Sequence, residues 1–148
     1  VIEVACRVAE GNPHEIAFAD TIGVGVPSQV SEILGRATAA LPGMRLRAHF
    51  HNTRNTGLAN AYAAVVAGVS ALDSSAGGIG GCPFAPSATG NIPTEDLVYM
   101  LERSGYSTGI KLDKLIATGE WRQGVLGRSI PSMLLKAGTF PKPAARAA

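Results

Sequence analysis

The sequence predicts an α/β fold in which parallel strands are covered by helices. Two observations support this prediction: strand-like and helix-like segments alternate along the 148 residues, and each strand candidate ends in polar residues. Such alternation is typical of parallel sheets, whose functional residues collect at the carboxyl ends of the strands. Asp20, His51 and Ser75 lie at the three predicted strand ends. We therefore expect a functional site at that edge of the sheet.

The first elements follow from apolar spacing and from the residues that stop each run. Residues 1–10 are predicted to be the end of a helix, which Gly11 closes. The short apolar run at 15–21 is typical of a buried strand. Residues 27–41 have apolar side chains at helical spacing, and a Pro-Gly pair follows them. This order gives a helix, a strand and a second helix.

The next strand, at 44–52, alternates cleanly and places both of its histidines on one face. Leu46, Ala48 and Phe50 lie on the opposite face. Two imidazoles two residues apart near a strand end are a common metal-binding arrangement, although two polar residues lining a barrel interior would give the same pattern. Because the chain has only one further histidine, His14, and no two cysteines close together in sequence, we expect no structural zinc site. A mixed imidazole and oxygen site for Mg²⁺ or Mn²⁺ fits His49 and His51 better.

The remaining elements repeat the alternation. Residues 55–68 are predicted to form an alanine-rich helix, residues 69–75 a short strand, and residues 112–121 another helix. Thr94 is predicted to cap a helix that opens with two acidic residues, and the tail at 141–148 is predicted to be frayed. Four side chains of the helix at 55–68 are expected to face inward: Leu58, Ala61, Tyr62 and Val65.

Composition excludes several classes of protein. The chain is 46% hydrophobic and 16% charged, which is typical of one globular domain. A net charge of +2 without a basic stripe argues against nucleic acid as a partner. No apolar run has membrane length, and the first residues do not have the pattern expected of a signal peptide. Because Cys6 and Cys82 do not form a disulfide framework, we expect a reducing, cytoplasmic setting.

The glycine-rich run at 77–83 contains the chain's most distinctive cysteine. Four of five consecutive residues are glycine, which costs backbone entropy and disfavours both helix and strand. Chains tolerate that cost where the backbone must move or must approach a ligand. Cys82 is therefore a candidate catalytic thiol, and the alternative is a flexible turn with an incidental cysteine.

Three further polar residues are candidates, each with a structural alternative. The amide oxygen of Asn91 can complete a metal shell, or the residue can simply serve a turn. Asp20 is a base, an orienting group, or a cap for the turn after its strand. Glu95 faces the site, or it only complements its helix dipole.

Four segments carry a resemblance to a known family. They are Asp-Thr-Ile-Gly-Val-Gly at 20–25, His-Phe-His-Asn-Thr at 49–53, Gly-Gly-Cys-Pro at 80–83, and Thr-Gly-Asn at 89–91 leading to Thr-Glu-Asp-Leu at 94–97. In this order they resemble 3-hydroxy-3-methylglutaryl-CoA lyases over about residues 15–114. The Gly-Gly-Cys-Pro loop is the specific part, because related Claisen enzymes share the two-histidine strand.

The resemblance implies a TIM barrel and a metal-dependent carbon–carbon lyase. His49, His51 and Asn91 would bind Mg²⁺ or Mn²⁺. The substrate would be an acyl-CoA thioester, cleaved to acetyl-CoA and acetoacetate, and the full-length enzyme would be a homo-oligomer. His49 would shuttle the hydroxyl proton and Cys82 would protonate the enolate carbon, with Asp20 and Glu95 in supporting roles.

The chain also departs from the family pattern. Asn52 stands where the family often has aspartate, and Arg54 stands where it often has an aromatic residue. The family's first-strand Arg-Asp pair, which supplies a metal ligand, has no counterpart here. Only three strands are predicted, whereas a barrel needs eight strands and about 250 residues. Residues 1–140 are therefore expected to be the carboxyl-terminal half of a barrel, inactive alone.

Two other functions stay open at this level. One is a Claisen-type acyl-CoA synthase of the same superfamily, which the glycine and cysteine loop disfavours. The other is a non-catalytic half-barrel that needs a partner, which the missing Arg-Asp pair favours. A metal-dependent hydrolase is a more distant alternative, because the further histidines and the lysine expected of one are lacking.

Overall fold

The computed structural model of the chain describes residues 1–81 and 90–140. Within these ranges the chain divides into two compact units. The first consists of residues 1–74, 80–81 and 90–92, and the second of residues 75–79 and 93–140. No helix in the described ranges has both the length and the hydropathy needed to cross a bilayer.

The first unit contains a three-stranded parallel sheet and three helices. The strands pair in chain order, β1 with β2 and β2 with β3. Parallel pairing of consecutive strands through helical connections is the arrangement found in a (β/α)₈ barrel. The predicted parallel α/β class is therefore confirmed. The elements in chain order are α1 (Ile2–Ala9), β1 (Ile16–Asp20), α2 (Pro27–Ala40), β2 (Leu46–Phe50), α3 (Gly57–Val66) and β3 (Ala71–Asp73).

The core of this unit lies between the sheet and its helices. Leu46, Ala48 and Phe50 are buried, as the alternation predicts, and the opposite face of β2 carries Arg47 and His49. Burial of these apolar side chains stabilises the fold because it removes their surface from water. The same side of the sheet is packed by buried residues of the helices, which include Val30, Leu34, Ala37, Ala61 and Ala64.

The inward face of α3 differs from the prediction by about one residue. Tyr62, expected inside, is 40% exposed, whereas Asn60, Ala61 and Ala64 are fully buried. Small side chains permit close approach of a helix to its neighbours, so the alanine stripe packs inward and the larger side chains lie to its sides. Hydrophobic spacing alone therefore placed the centre of this face wrongly.

The second unit contains three helices and a short turn of 3₁₀ helix at Ala76–Gly78. The helices are α4 (Thr94–Arg103), α5 (Leu112–Leu126) and α6 (Leu134–Ala137). Their buried side chains include Leu97, Val98, Leu101, Ile130 and Leu134.

Two details of this unit correct the sequence predictions. Thr94 is the first helical residue of α4 and Pro93 occupies the cap position, so the predicted threonine cap is wrong. β3 ends at Asp73, and Ser75 belongs to this second unit rather than to the strand end. The glycine run agrees with its prediction at its first residue, because Gly77 has a non-helical φ of 74° inside the 3₁₀ turn.

Arg47 links three parts of the sheet through two ion pairs. Its Nε donates to Oε1 of Glu15 at 2.7 Å, just before β1, and its Nη1 donates to Oδ1 of Asp73 at 2.6 Å, at the end of β3. The two carboxylates raise the pKa of Arg47 above its ordinary value, with the hydrogen bond to Glu15 as the largest cause. The guanidinium therefore stays charged and holds both acidic side chains.

Replacing Arg47 by glutamine is expected to lower the urea midpoint of unfolding of the complete natural protein. The change removes both ion pairs and leaves Glu15 and Asp73 without their cation. Equilibrium urea unfolding would measure the effect, with Arg45→Gln as the matched control because Arg45 is exposed on the same strand segment. Equal midpoints for the two variants would contradict a stabilising role for this network.

Candidate functional site

His49 and His51 form the centre of the candidate site. Their ring centroids lie 5.2 Å apart with an angle of 66° between the planes, an edge-to-face arrangement. The two-residue spacing at the end of β2 produces this proximity, because alternate side chains share one face of a strand. His51 is buried at 5% exposure, while His49 is half-buried. The prediction that both rings lie together is confirmed.

The surroundings of His51 favour its neutral form. Burial lowers the pKa of His51, the nearby His49 lowers it further, and the negative charge of Asp20 partly opposes both effects. Nδ1 of His51 is buried and has no hydrogen-bond partner among the described residues. A neutral imidazole with a free, buried nitrogen is the form that binds a metal ion, since a protonated ring has no lone pair to offer.

Backbone pairing brings Asn91 beside His51. The two residues form an isolated antiparallel bridge, flanked by a hydrogen bond from the Asn52 N–H to the Gly90 carbonyl at 2.9 Å. Gly80 approaches Asn91 so closely that an added Cβ would lie 2.8 Å from Nδ2 of Asn91, and its φ of +120° also favours glycine. The structure therefore brings Asn91 together with the histidine pair, although Asn91 follows His51 by 40 positions in the sequence.

Asp20 lies at the end of β1, and its carboxylate is occupied by the following turn. Oδ1 accepts from the Val24 N–H at 3.1 Å and Oδ2 accepts from the Gly25 N–H at 2.8 Å. Of the three roles predicted for Asp20, the structure supports the turn cap directly. The sheet register pairs Asp20 with Phe50, the residue between the two histidines, so Asp20 lies at the same end of the sheet as the candidate site.

Glu95 lies in the second unit, where it is completely buried. Both of its carboxylate oxygens accept from the Gly77 N–H, at 3.0 and 2.8 Å. Gly77 has a left-handed φ of 74°, and a Cβ there would collide with Ile130. Only glycine fits at position 77, and Glu95 fixes this turn through its hydrogen bonds. This contact goes beyond the helix-dipole role that the sequence offered as one alternative for Glu95. A catalytic role for Glu95 stays a prediction.

Replacing Glu95 by alanine is expected to lower the free energy of unfolding of the complete protein by about 1–3 kcal/mol, because the buried Gly77 N–H loses its acceptor. Glu95→Gln keeps one acceptor oxygen and is expected to lose much less. Urea unfolding monitored by circular dichroism measures both variants. Equal destabilisation of the two would show that the negative charge, and not the hydrogen bond, is what the site requires.

The other predicted site residue, Cys82, lies outside the described residues, as does the predicted frayed tail at 141–148. Among the residues that the structure describes, no three side chains of the His, Cys, Asp and Glu types group together as metal ligands. The described part of the candidate metal site therefore consists of the histidine pair and the amide residue Asn91.

Sequence reasoning missed several polar residues that follow His51 in the chain. Thr53 and Thr56, between β2 and α3, and Asn60, within α3, each have a buried side-chain oxygen without a hydrogen-bond partner among the described residues. Arg54 and Asn60 contact the loop after β1. Arg54 stood out in the sequence as a departure from the family pattern. The sequence could not show what Arg54 contacts, because its partners are 31 and 32 positions away.

Comparison with known proteins gives the family. The HMGL-like family model matches residues 1–121. The chain is 48% identical over 124 residues to (R)-citramalyl-CoA lyase from Chloroflexus aurantiacus, covering 84% of the chain and 39% of that protein. It is 41% identical over 136 residues to the hydroxymethylglutaryl-CoA lyase YngG of Bacillus subtilis, covering 92% of the chain and 46% of that protein.

A solved structure matches the fold. An HMG-CoA lyase from Acinetobacter baumannii, in complex with coenzyme A and 3-methylmalate, superposes with a TM-score of 0.90 at 42% identity. The match covers 96% of this chain and 47% of that chain, so the chain spans less than half the length of these relatives. The predicted fold, part of a TIM barrel, is confirmed by this match and by the parallel sheet. The chain belongs to the HMGL-like family.

Proposed function

We propose that the complete protein containing this chain is a metal-dependent carbon–carbon lyase. It would cleave 3-hydroxy-3-methylglutaryl-CoA, or a related 3-hydroxyacyl-CoA, with release of acetyl-CoA. The convergence of His49, His51 and Asn91 at the end of β2 carries the proposal. Family membership and the names of the relatives, which are lyases of acyl-CoA thioesters, support it.

The site residues fit a divalent cation. The unpartnered, buried Nδ1 of His51 and the lowered pKa of that ring favour metal binding by a neutral imidazole. His51 and Asn91, together with His49 while its ring is unprotonated, would hold Mg²⁺ or Mn²⁺, ions that favour oxygen ligands over the thiolates typical of structural zinc. When bound, the cation would supply Lewis-acid stabilisation of the negative charge that develops on the substrate oxygen.

Two proton transfers by the protein complete the proposed reaction. His49 accepts the proton of the substrate's 3-hydroxyl group, and the resulting alkoxide collapses to a ketone as the carbon–carbon bond breaks. The electron pair of that bond goes to the thioester enolate. The thiol of Cys82 then donates a proton to the enolate carbon, which gives acetyl-CoA; with 3-hydroxy-3-methylglutaryl-CoA the ketone product is acetoacetate. Asp20 supports the site through the turn that it holds after β1, and a supporting role of Glu95 is also part of the proposal.

The remaining features of the complete protein are also proposals. Residues 1–140 are proposed to be the carboxyl-terminal half of the barrel, and further strands would supply the Arg-Asp pair that this chain lacks. Homo-oligomer formation is proposed on the family resemblance, and a cytoplasmic location on a content of two cysteines, too few for a disulfide framework. A role in nucleic-acid binding is not proposed, since the net charge is only +2.

The direct test is product analysis with the purified complete protein. It is incubated with 3-hydroxy-3-methylglutaryl-CoA and, separately, with (R)-citramalyl-CoA, in Mg²⁺ or Mn²⁺ and again after chelation with EDTA. Release of acetyl-CoA that depends on the cation is the expected result, and the faster substrate identifies the acyl group. Condensation of acetyl-CoA with a 2-oxo acid instead would favour a synthase. No reaction in either direction would favour the non-catalytic half-barrel.

A further inference from the structure

Arg54 lies in the loop between β2 and α3 and contacts the loop between β1 and α2. Its Nη1 donates two hydrogen bonds, to the carbonyl oxygen of Ile22 at 3.1 Å and to that of Gly23 at 3.0 Å. A single cationic nitrogen thus holds two consecutive carbonyl groups of a neighbouring loop. Hydrogen bonds with a charged donor are shorter and stronger than neutral ones, so this contact restrains the loop more than a neutral side chain could.

Thr53 holds the same loop from its neighbouring position. A Cβ added at Gly23 would lie 2.8 Å from both Cβ and Oγ1 of Thr53, so the two loops pack in direct contact there. Gly23 also has a left-handed φ of +62°, which only glycine adopts without strain. The loop after β1 is therefore shaped to fit against residues 53 and 54.

The far end of this loop is attached to the candidate site. The amides of Val24 and Gly25 donate to the Asp20 carboxylate, and the Gly25 carbonyl accepts from Nδ2 of the fully buried Asn60 at 2.9 Å. In the sheet register Asp20 pairs with Phe50, the residue between His49 and His51. A continuous set of contacts thus leads from Arg54 through the loop to the Asp20 carboxylate.

We propose that Arg54 is a positioning residue, which fixes the loop at 21–25 and thereby holds the Asp20 carboxylate in place beside the histidine pair. The catalytic consequence of this role rests on the proposed lyase function, whereas the structural consequence does not.

The test compares Arg54→Gln and Arg54→Lys with the control Arg36→Gln in the complete protein. Arg36 is an exposed arginine on α2 whose only partner among the described residues is Glu32, one turn away. Because a small misplacement of a site group can be costly, Arg54→Gln should lower kcat about tenfold or more. KM and Mn²⁺ affinity should each change less than about twofold, since Arg54 contacts neither substrate nor metal in this proposal. Lysine, with a shorter side chain and three donors, should restore part of the rate.

Hydrogen exchange separates this proposal from the lyase function. Exchange of the Val24 and Gly25 amides should accelerate in Arg54→Gln but not in Arg36→Gln, whether or not the protein cleaves an acyl-CoA. If the wild-type protein shows no lyase activity but this acceleration occurs, the proposed function fails and the positioning role stands. Unchanged exchange together with an unchanged kcat would overturn the role of Arg54.

A second variant keeps the proposal testable if Arg54→Gln does not fold. Gly23→Ala displaces the same loop through the clash with Thr53 and the positive φ, with Arg54 left intact. It should also lower kcat and accelerate exchange at Val24 and Gly25. When both single variants fold, the double variant should lose less than the product of the two single losses, because both changes break one contact. Fully multiplicative losses would show that Arg54 and the loop act independently, against the proposal.

Discussion

Replacing Cys82 by alanine is expected to lower kcat of the complete protein by about 10²–10⁴-fold, the range typical of a lost general acid. An ordinary thiol has a pKa of about 8.5, so near neutral pH it is protonated and still acidic enough to donate to a carbanion-like carbon. Alanine removes that proton and adds no new charge. The affinity for Mn²⁺ should stay unchanged, because the proposed metal ligands are His49, His51 and Asn91.

Steady-state kinetics and Mn²⁺ titration of the same preparations measure the two effects separately. Cys6→Ala is the matched control, since Cys6 is the free thiol of α1 and has no place in the proposed reaction. Turnover of Cys82→Ala equal to that of Cys6→Ala would remove Cys82 from the mechanism. Loss of Mn²⁺ binding in Cys82→Ala would instead assign the thiol to the metal site.

Replacing His51 by alanine is expected to weaken Mn²⁺ binding by at least about 100-fold. Removal of groups that only support a metal ligand already costs about 10–100-fold in affinity or activity, and His51 is proposed to bind the ion itself. Its buried Nδ1 without a partner is the atom whose loss the experiment detects. Activity should fall by a similar or larger factor at low Mn²⁺ and recover partly when the cation is raised.

Isothermal titration calorimetry with Mn²⁺ gives the affinity directly, without any substrate. His14→Ala serves as control, because His14 is exposed in the loop before β1. A Mn²⁺ affinity of His51→Ala within about threefold of this control would contradict the proposed ligand. The histidine pair would then be two polar residues lining the barrel interior, the alternative that the sequence leaves open.

The strands show how much of the fold could be predicted. β2 was predicted within two residues at each end, because the alternation of apolar and polar residues over 44–52 depends on a sheet with one covered face. α3 was predicted as a helix but with the wrong inward face, since alanine and asparagine carry little hydrophobic signal. α6 has only four residues and was not predicted, because its first turn depends on distant Asp96, which accepts from the amides of Met133 and Leu134.

Local periodicity and residue chemistry were enough to predict the parallel α/β class and to select the histidine pair and the other candidate residues. The contacts of those residues could be seen only in the folded chain. Folding joined Asn91 to His51 through a backbone bridge, tied Glu95 to the Gly77 amide, and directed Arg54 at the carbonyls of another loop. Contacts between residues 18 to 40 positions apart leave no periodic trace in a sequence, since they depend on where the folded backbone brings the two residues.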